Sequence, residues 1–205
     1  MSTLSKRSDS PILLLDVMST LVYDPIAHEI PTFFDLPLPK LFEVKHPTAW
    51  VEFEHGELDE TEFYKIFLPP PYGPVDGERL KATLHSAYRW LEGIEPLLSE
   101  LREAEVQMHT LSNYPSWYEV IESSLNLSNY LPWTFVSCNT GVRKPHPQAY
   151  LGAAATLGVD PQRCIFVDDC LKNCAAARDV GMQAIVFESA TQLRAELAHR
   201  GVLQS

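Results

Sequence analysis

The sequence predicts an α/β protein built on a doubly wound parallel sheet, with a helical segment inserted after the first strand. Two observations support this prediction. Short apolar runs alternate with amphipathic helical patterns over most of the chain, and one long stretch replaces that alternation with helical patterns alone. Strands that alternate with helices are typical of parallel sheets covered by helices on both faces. The length of 205 residues suits one compact domain with a smaller insertion.

Five short apolar runs are predicted to be strands buried on both faces of the sheet. They span residues 11–16, 106–111, 133–137, 164–167 and 183–187. Helices are predicted at residues 94–103, 116–125, 147–157, 171–180 and 191–199. The first four strands end in polar or acidic residues, and ligands of such sheets gather outside the carboxyl ends of the strands. A functional site is therefore expected at that edge.

Residues 24–92 are predicted to form the helical insertion, and residues 11–23 and 93–205 the core around it. Helical patterns occupy residues 46–54, 59–67 and 77–91, and the proline-rich residues 69–74 form a loop between the last two. Asp59 and Glu62 predict a helix start, because an N-cap acid and a Glu at the third helical position can each bond the other's backbone N–H.

Charge and cysteine content argue against several classes of function. Asp and Glu total 27 against 16 Lys and Arg, and the formal net charge of -11 repels nucleic acid and anionic membranes. No apolar run reaches the roughly 18 residues of a membrane span. Reduced thiols are favoured over a metal site at Cys170 and Cys174, because no second Cys or His pair has zinc-finger spacing. Residues 1–10 lack the apolar core of a secretory signal and are either a polar leader or the remnant of a trimmed targeting segment.

Polar residues that could carry chemistry follow four predicted strands in order. They are Asp16, Ser112 with Asn113, Lys144, and Asp168 with Asp169. Three carboxylates suit a hard divalent cation such as Mg²⁺, which prefers oxygen ligands. An ammonium group and N–H donors suit a phosphoryl group, and a carboxylate can attack that group to form an aspartyl phosphate. The set predicts a site for a small phosphorylated substrate.

Each of these residues alone also has a structural explanation. An Asp after a strand is commonly a turn former, a Ser-Asn pair commonly caps a helix, and an acid pair is commonly an exposed turn. A lysine before proline is commonly a solvated side chain. Their conjunction, in order and each at a strand end, favours a site over these separate explanations.

The segments that carry these residues resemble the four motifs of the haloacid dehalogenase (HAD) superfamily. They read Asp16-x-x-x-Thr20-Leu21, Ser112-Asn113, Lys144-Pro145, and an apolar run into Asp168-Asp169-x-x-x-Asn173. The resemblance covers nearly the whole chain and implies a Rossmann-like core with a helical cap inserted after the first motif. Residues 46–54 and 112–118 resemble in particular the flavin mononucleotide hydrolases of plant and algal plastids.

The resemblance implies a Mg²⁺-dependent phosphatase in which Asp16 is both nucleophile and metal ligand. Met18 would offer its backbone carbonyl to the metal. Asp169 would be the direct carboxylate ligand, with Asp168 close by or acting through water.

The resemblance also implies the residues that hold the phosphoryl oxygens. Ser112, Asn113 and Lys144 would take this role, and Lys144 would offset the negative charge around Asp16. Thr20 is grouped with these phosphate-binding residues and is expected to form a hydrogen bond within the first loop.

Met18 departs from the family pattern, because phosphatases of the superfamily usually carry a second Asp at this position as general acid and base. Methionine cannot transfer a proton. Asp24 or one of the histidines His28, His46, His55 and His109 could replace that acid, although each histidine could equally have a packing or surface role. A catalytically weak fold used for binding or regulation is therefore one alternative.

Flavin mononucleotide is the leading substrate on the resemblance, and another sugar or nucleotide phosphate is the alternative. Aromatic residues between Phe33 and Trp90 could stack on a flavin ring or form the core of a helix bundle. The expected location is the plastid stroma if the source is a photosynthetic eukaryote, and the cytoplasm otherwise.

Overall fold

The computed structural model of the protein describes residues 10–204, so the predicted leader lies outside the described residues except for Ser10. Five parallel strands form one sheet: β1 (Ile12–Leu15), β2 (Met108–Ser112), β3 (Phe135–Val136), β4 (Cys164–Asp168) and β5 (Gln183–Val186). Their order in the sheet is β3-β2-β1-β4-β5. The strand order reverses between β1 and β4, which makes the carboxyl ends of these two strands the expected place for a ligand.

The insertion contains five helices, and six more belong to the rest of the described chain. The first five are α1 (Glu29–Phe34), α2 (Leu38–Val44), α3 (Ala49–His55), α4 (Glu60–Ile66) and α5 (Gly77–Ala87). The others are α6 (Ile94–Glu103), α7 (Tyr118–Leu125), α8 (Ser137–Thr140), α9 (Pro147–Leu157), α10 (Leu171–Asp179) and α11 (Ala190–His199). The predicted α/β fold class is confirmed, and α6 and α9 have the predicted bounds.

Helices cover both faces of the sheet, which explains why its strands are apolar without alternation. In β1, Leu13 and Leu15 pack into the cluster that contains the apolar faces of α6 and α11. Leu14 points the other way, into the cluster formed with α9 and α10. The apolar side chains of the insertion belong to the first of these clusters, so the insertion and one face of the core share a continuous hydrophobic interior.

The start of α4 forms as predicted. Glu62 N–H donates to Asp59 Oδ1 at 2.8 Å, and Asp59 N–H donates to Glu62 Oε2 at 3.5 Å. The two bonds satisfy backbone donors that the first turn of a helix leaves free, and an N-cap of this kind contributes about 1 kcal/mol.

Two predicted helices of the insertion are longer than the helices observed. The pattern at residues 46–54 begins as a helix only at Ala49, because the His46 ring accepts the Ala49 N–H at 3.1 Å and holds the preceding residues outside the helix. The pattern at residues 77–91 ends at Ala87. Tyr88 is extended there, and its hydroxyl lies 2.5 Å from the Tyr114 hydroxyl, so tertiary contacts override the helical pattern.

The two ends of the insertion run side by side. Tyr23 N–H donates to Arg89 O at 2.9 Å, and Leu91 N–H donates to Leu21 O at 3.0 Å. Because the chain leaves and re-enters the core at one place, the arrangement agrees with a domain boundary near residues 24 and 92, which stays a prediction.

No helix within residues 10–204 is long and apolar enough to span a membrane. The four cysteines form no disulfide among the described residues, and Cys174 is buried in α10 whereas Cys170 is exposed at its start.

Candidate active site

Lys144 joins two of the predicted acidic residues at the carboxyl edge of the sheet. Its Nζ donates to Asp16 Oδ1 and to Asp168 Oδ2, each at 2.6 Å. Asp16 follows β1 and Asp168 ends β4, so the lysine bridges the point where the strand order reverses. The side chains are buried, and charge-assisted hydrogen bonds of this kind are short and strong. Burial alone would lower the pKa of Lys144, but the two carboxylates raise it above its ordinary value.

Asn113 positions the backbone of Lys144. Its Oδ1 accepts the Lys144 N–H at 2.7 Å, and its Nδ2 donates to the Lys144 carbonyl at 2.8 Å. This pair of bonds ties the residue after β2 to the loop that carries the lysine. Contact between Asn113 and a phosphoryl oxygen stays a prediction, and the contact that Asn113 makes here is with Lys144.

Asp16 lies in surroundings that disfavour its charged form. Burial is the largest cause, and the nearby Asp168 and Asp169 add to it, so the pKa of Asp16 rises to about 7 although Lys144 opposes the change. The three carboxylates and one ammonium group, of which only Asp169 is exposed, carry an excess of negative charge. A cation bound there would restore Asp16 to the ionised form that acts as a nucleophile.

The carboxylates of Asp16, Asp168 and Asp169 fit a hard cation. One carboxylate oxygen can be chosen from each residue so that the three oxygens lie within 4.8 Å of one another. Asp168 is already engaged, because it accepts from Lys144, the Cys170 N–H and the Asn173 amide. Asp169 is exposed, and its side chain accepts none of the hydrogen bonds that engage Asp168. Asp169 is therefore more available than Asp168 as a metal ligand. The donor set therefore suits Mg²⁺, which takes few carboxylates and completes its shell with water and phosphate.

Ser112 and Thr20 differ in what their hydroxyl groups bind. Thr20 Oγ1 donates to Asp16 Oδ2 at 3.3 Å and accepts the Asp169 N–H at 3.2 Å, so the predicted hydrogen bond within the first loop is present. Ser112 Oγ is buried and has no hydrogen-bond partner among the described residues. A buried hydroxyl without a partner is costly, and a phosphoryl oxygen would supply one. Phosphate contact by either residue stays a prediction.

A cavity of about 270 Å³ begins beside these loops and extends among the helices of the insertion. Met18 and Asn113 line it at the sheet edge, and the remaining walls are mostly apolar. Of the aromatic residues between Phe33 and Trp90, five line the cavity: Phe34, Phe42, Trp50, Phe63 and Phe67. Several also pack on one another; Phe53 and Phe63, for example, stack with ring centroids 4.6 Å apart.

Two carboxylates also line the cavity, and the four histidines considered as replacement acids do not. Burial raises the pKa of Asp24, whose Oδ1 accepts the Ile26 N–H at 2.9 Å. Burial also raises the pKa of Glu54 to about 7, against the lowering effect of Arg143 and Trp50. Both acids are therefore candidates for proton transfer in a site where Met18 has none to offer.

Glu54 is the residue that sequence reasoning missed in this role. It is 5% exposed, and its Oε2 lies 2.6 Å from Arg143 Nη2 without the alignment of a hydrogen bond. Its backbone carbonyl accepts from Ser137 Oγ at 2.5 Å. These contacts join α3 of the insertion to α8 and to the loop that follows it. A glutamate in an amphipathic helix gives no sign of such contacts, because they depend on residues far away in the chain.

A family model for haloacid dehalogenase-like hydrolases matches residues 45–181 of the chain. The chloroplast flavin mononucleotide hydrolase 1 of Arabidopsis thaliana is 42% identical over an alignment that covers 97% of this chain and 81% of that protein. Hexitol phosphatase B of Escherichia coli is 28% identical, with 57% of this chain and 56% of that enzyme aligned. The chain belongs to the haloacid dehalogenase-like hydrolases, and it is a phosphatase of that family.

A solved structure agrees with this assignment at the level of the fold. A HAD family enzyme from Bacteroides thetaiotaomicron, in complex with magnesium and inorganic phosphate, superimposes with a TM-score of 0.70. The two chains are 21% identical, and the match covers 88% of this chain and 95% of the other.

Proposed function

We propose that this phosphatase hydrolyses flavin mononucleotide to riboflavin and inorganic phosphate. The observation that carries the proposal is the apolar cavity that begins at Met18 and Asn113, next to the predicted nucleophile, and is lined by aromatic rings. Ligand sites are commonly apolar clefts with a few convergent polar groups, and aromatic rings favour stacking on a flat ligand. The similarity to the Arabidopsis enzyme supports the same substrate.

In the proposed reaction, an oxygen of Asp16 attacks phosphorus and the bond from phosphorus to the ribityl oxygen breaks. The ribityl oxygen takes up a proton and leaves as the alcohol of riboflavin, while Asp16 becomes an aspartyl phosphate. Water then attacks that phosphorus and loses a proton, which releases inorganic phosphate and restores the carboxylate. Lys144 holds Asp16 in place, and its positive charge offsets the charge of the incoming phosphate.

Mg²⁺ held by Asp16, Asp169 and the backbone carbonyl of Met18, with Asp168 beside them, would supply positive charge to the phosphoryl oxygens. Ser112 offers an unpaired buried hydroxyl to those oxygens. The proton of the leaving alcohol has no donor at Met18, so it must come from Asp24, from Glu54 or from water.

We expect kcat/KM to be higher for flavin mononucleotide than for sugar phosphates such as a hexitol phosphate. Stacking and burial of the ring should favour the flavin by at least about tenfold, roughly 1.4 kcal/mol. Equal or better use of the sugar phosphates would replace flavin mononucleotide with the alternative substrate class.

Variants of two carboxylates test whether the activity in that assay comes from the proposed site. Asp16→Asn should lose more than about 10³-fold in activity, because it removes the nucleophile. Asp169→Asn should need more Mg²⁺ for the activity it retains. Asp179→Asn, an exposed site at the end of α10, should behave as the wild type. Retained activity in Asp16→Asn would exclude this residue as the nucleophile.

Met18 favours a second candidate function, in which the fold binds a phosphorylated ligand with little turnover. Phosphate release too slow to measure, together with tight binding of flavin mononucleotide, would support it over catalysis. A plastid location is likewise proposed from the chloroplast relative, and fractionation of cells from the source organism would test it.

A further inference from the structure

The cavity reaches solvent near the end of α2. Two of its lining residues, Ile26 and Phe42, are exposed large apolar side chains, and Phe42 is 53% exposed. Lys45 also lines the cavity and caps α2, where its N–H donates to Leu41 O at 3.0 Å. Its Nζ lies 5.9 Å from the centre of the Phe42 ring. The lysine is therefore at the mouth of the cavity, whereas Met18 and Asn113 are at the end beside the nucleophile.

Lys45 is the one cation among the described residues that line the cavity. The two acids of the lining already have partners, because Glu54 faces Arg143 and Asp24 caps the turn at Ile26. The described chain between residues 10 and 204 places no carboxylate in an ion pair with Lys45. Its half-buried ammonium group thus offers three hydrogen-bond donors to whatever occupies the mouth.

A flavin has two chemically different edges, and these match the two kinds of surface in the cavity. The dimethylbenzene edge is apolar and suits the apolar walls. The pyrimidine edge carries two carbonyl oxygens and an unprotonated ring nitrogen, which have partial negative charge and accept hydrogen bonds, and one ring N–H, which donates. With the phosphate at Asp16, the ribityl chain would carry the ring outward along the cavity towards its mouth.

We propose that Lys45 binds the carbonyl-bearing edge of the flavin ring and is a specificity-determining residue of the enzyme. The inference rests on the proposed function, because it concerns how the same site distinguishes a flavin from other phosphate esters. A cation at that edge stabilises its partial negative charge, and such contacts are among the ways in which proteins tune bound flavins.

General attraction of anions is the competing role for a lysine at a cavity mouth. It would act on every phosphate ester, whereas recognition of the ring edge would act only on ligands that have the carbonyl edge. Naphthyl phosphate has a flat aromatic ring without that edge. Riboflavin has the edge without the phosphate. These two ligands therefore separate the two roles.

The experiment measures kcat/KM for flavin mononucleotide and for naphthyl phosphate, and the dissociation constant of riboflavin from its fluorescence, in wild type and in Lys45→Ala. Lys45→Ala should lower kcat/KM for the flavin about tenfold, weaken riboflavin binding by a similar factor, and leave naphthyl phosphate within about twofold. A tenfold change corresponds to about 1.4 kcal/mol.

Two further variants serve as controls. Lys45→Arg keeps the cation and should retain most of the flavin preference. Lys40→Ala removes one positive charge from the same helix at a site outside the cavity lining, where the lysine pairs with Glu43 at 2.9 Å, and should leave every ligand unchanged. Equal melting temperatures would show that the variants are folded.

Equal losses for the flavin and naphthyl phosphate, or no loss of riboflavin binding in Lys45→Ala, would overturn the proposal. Those results concern Lys45 alone. Failure of the proposed function would show separately, as a wild type that neither prefers flavin mononucleotide over sugar phosphates nor binds riboflavin.

Discussion

At the scale of single residues, Lys144 and Met18 have opposite consequences for catalysis. Lys144 binds Asp16 and Asp168 at once, so one ammonium group orders the predicted nucleophile and the adjacent strand end. Met18 lies in the first motif at the cavity floor, where an acid would meet the leaving oxygen, and it has no proton to give. The site therefore has a positioned cation for binding but no proton donor in its first motif.

We expect Met18→Asp to raise kcat, because it adds a carboxylate that can protonate the leaving oxygen and activate water. General acid–base catalysis contributes about 10²–10⁴-fold. In kcat/KM, which reports the first step, the gain should be largest for alkyl phosphates and small for an aryl phosphate, whose leaving group needs no proton. In the wild type, hydrolysis of the aspartyl phosphate in the second step should be slow. The aspartyl phosphate should then accumulate, and release of the alcohol should begin with a burst. Brisk turnover of alkyl phosphates without a burst would show that Asp24 or Glu54 already supplies the proton.

The control for this prediction is a substitution of similar size without a proton to give. Met18→Leu keeps the apolar contact with the insertion and should leave the rates for both classes of ester close to wild type. A gain in Met18→Leu would point to packing, rather than proton transfer, as the cause of any change.

At the scale of secondary structure, α3 and α8 meet closely enough to hold the insertion against the core. Gly56 ends α3 in the left-handed region with φ of 74°, and a Cβ there would collide with the backbone oxygen of Cys138 in α8. Ser137, also in α8, binds the carbonyl of Glu54. The closeness of these two helices therefore depends on a residue without a side chain.

We expect Gly56→Ala to destabilise the protein by more than Gly158→Ala. Both residues have positive φ, at 74° and 68°, but a Cβ at Gly158 would meet nothing within 4 Å. Gly158→Ala should therefore cost only the left-handed strain of about 1 kcal/mol, and thermal unfolding should show the larger loss for Gly56→Ala. Gly56→Ala should also lower activity on flavin mononucleotide, because the displaced helix lines the cavity. Equal effects of the two substitutions would contradict this account.

At the scale of the whole molecule, the burial of Glu54 makes stability depend on pH. Burial raises the pKa of Glu54 from 4.5 to about 7 in the folded chain, so the folded state holds a proton that the unfolded state has released. The stability that this proton contributes is complete below pH 4.5 and is lost as pH rises through about 7. The difference corresponds to roughly 3 kcal/mol at most.

Glu54→Gln keeps a neutral side chain at every pH, so we expect its melting temperature to fall less than that of the wild type between pH 5 and pH 7.5 in the absence of Mg²⁺. Glu103→Gln, at an exposed site of α6, should follow the wild-type profile. Parallel profiles for Glu54→Gln and the wild type would show that Arg143 keeps Glu54 ionised in the folded protein.

The sequence alone predicted the parallel sheet, the bounds of α6 and α9, and the four segments whose polar residues gather at the sheet edge. It could do so because burial on both faces produces continuous apolar strands, and because polar residues at strand ends must meet at one edge of a parallel sheet. Caps such as Asp59 with Glu62 were readable for the same reason, since their partners are three residues apart.

Only the tertiary structure decided which distant side chains meet. The fifth helix ends at Ala87, where Tyr88 contacts the distant Tyr114. Glu54 is a candidate for proton transfer because it lines the cavity and is buried against the distant Arg143. No local pattern in the sequence distinguishes Lys45 from other surface lysines. Its place at the cavity mouth follows from how five short helices pack against the sheet edge, and such packing depends on contacts between segments that are far apart along the chain.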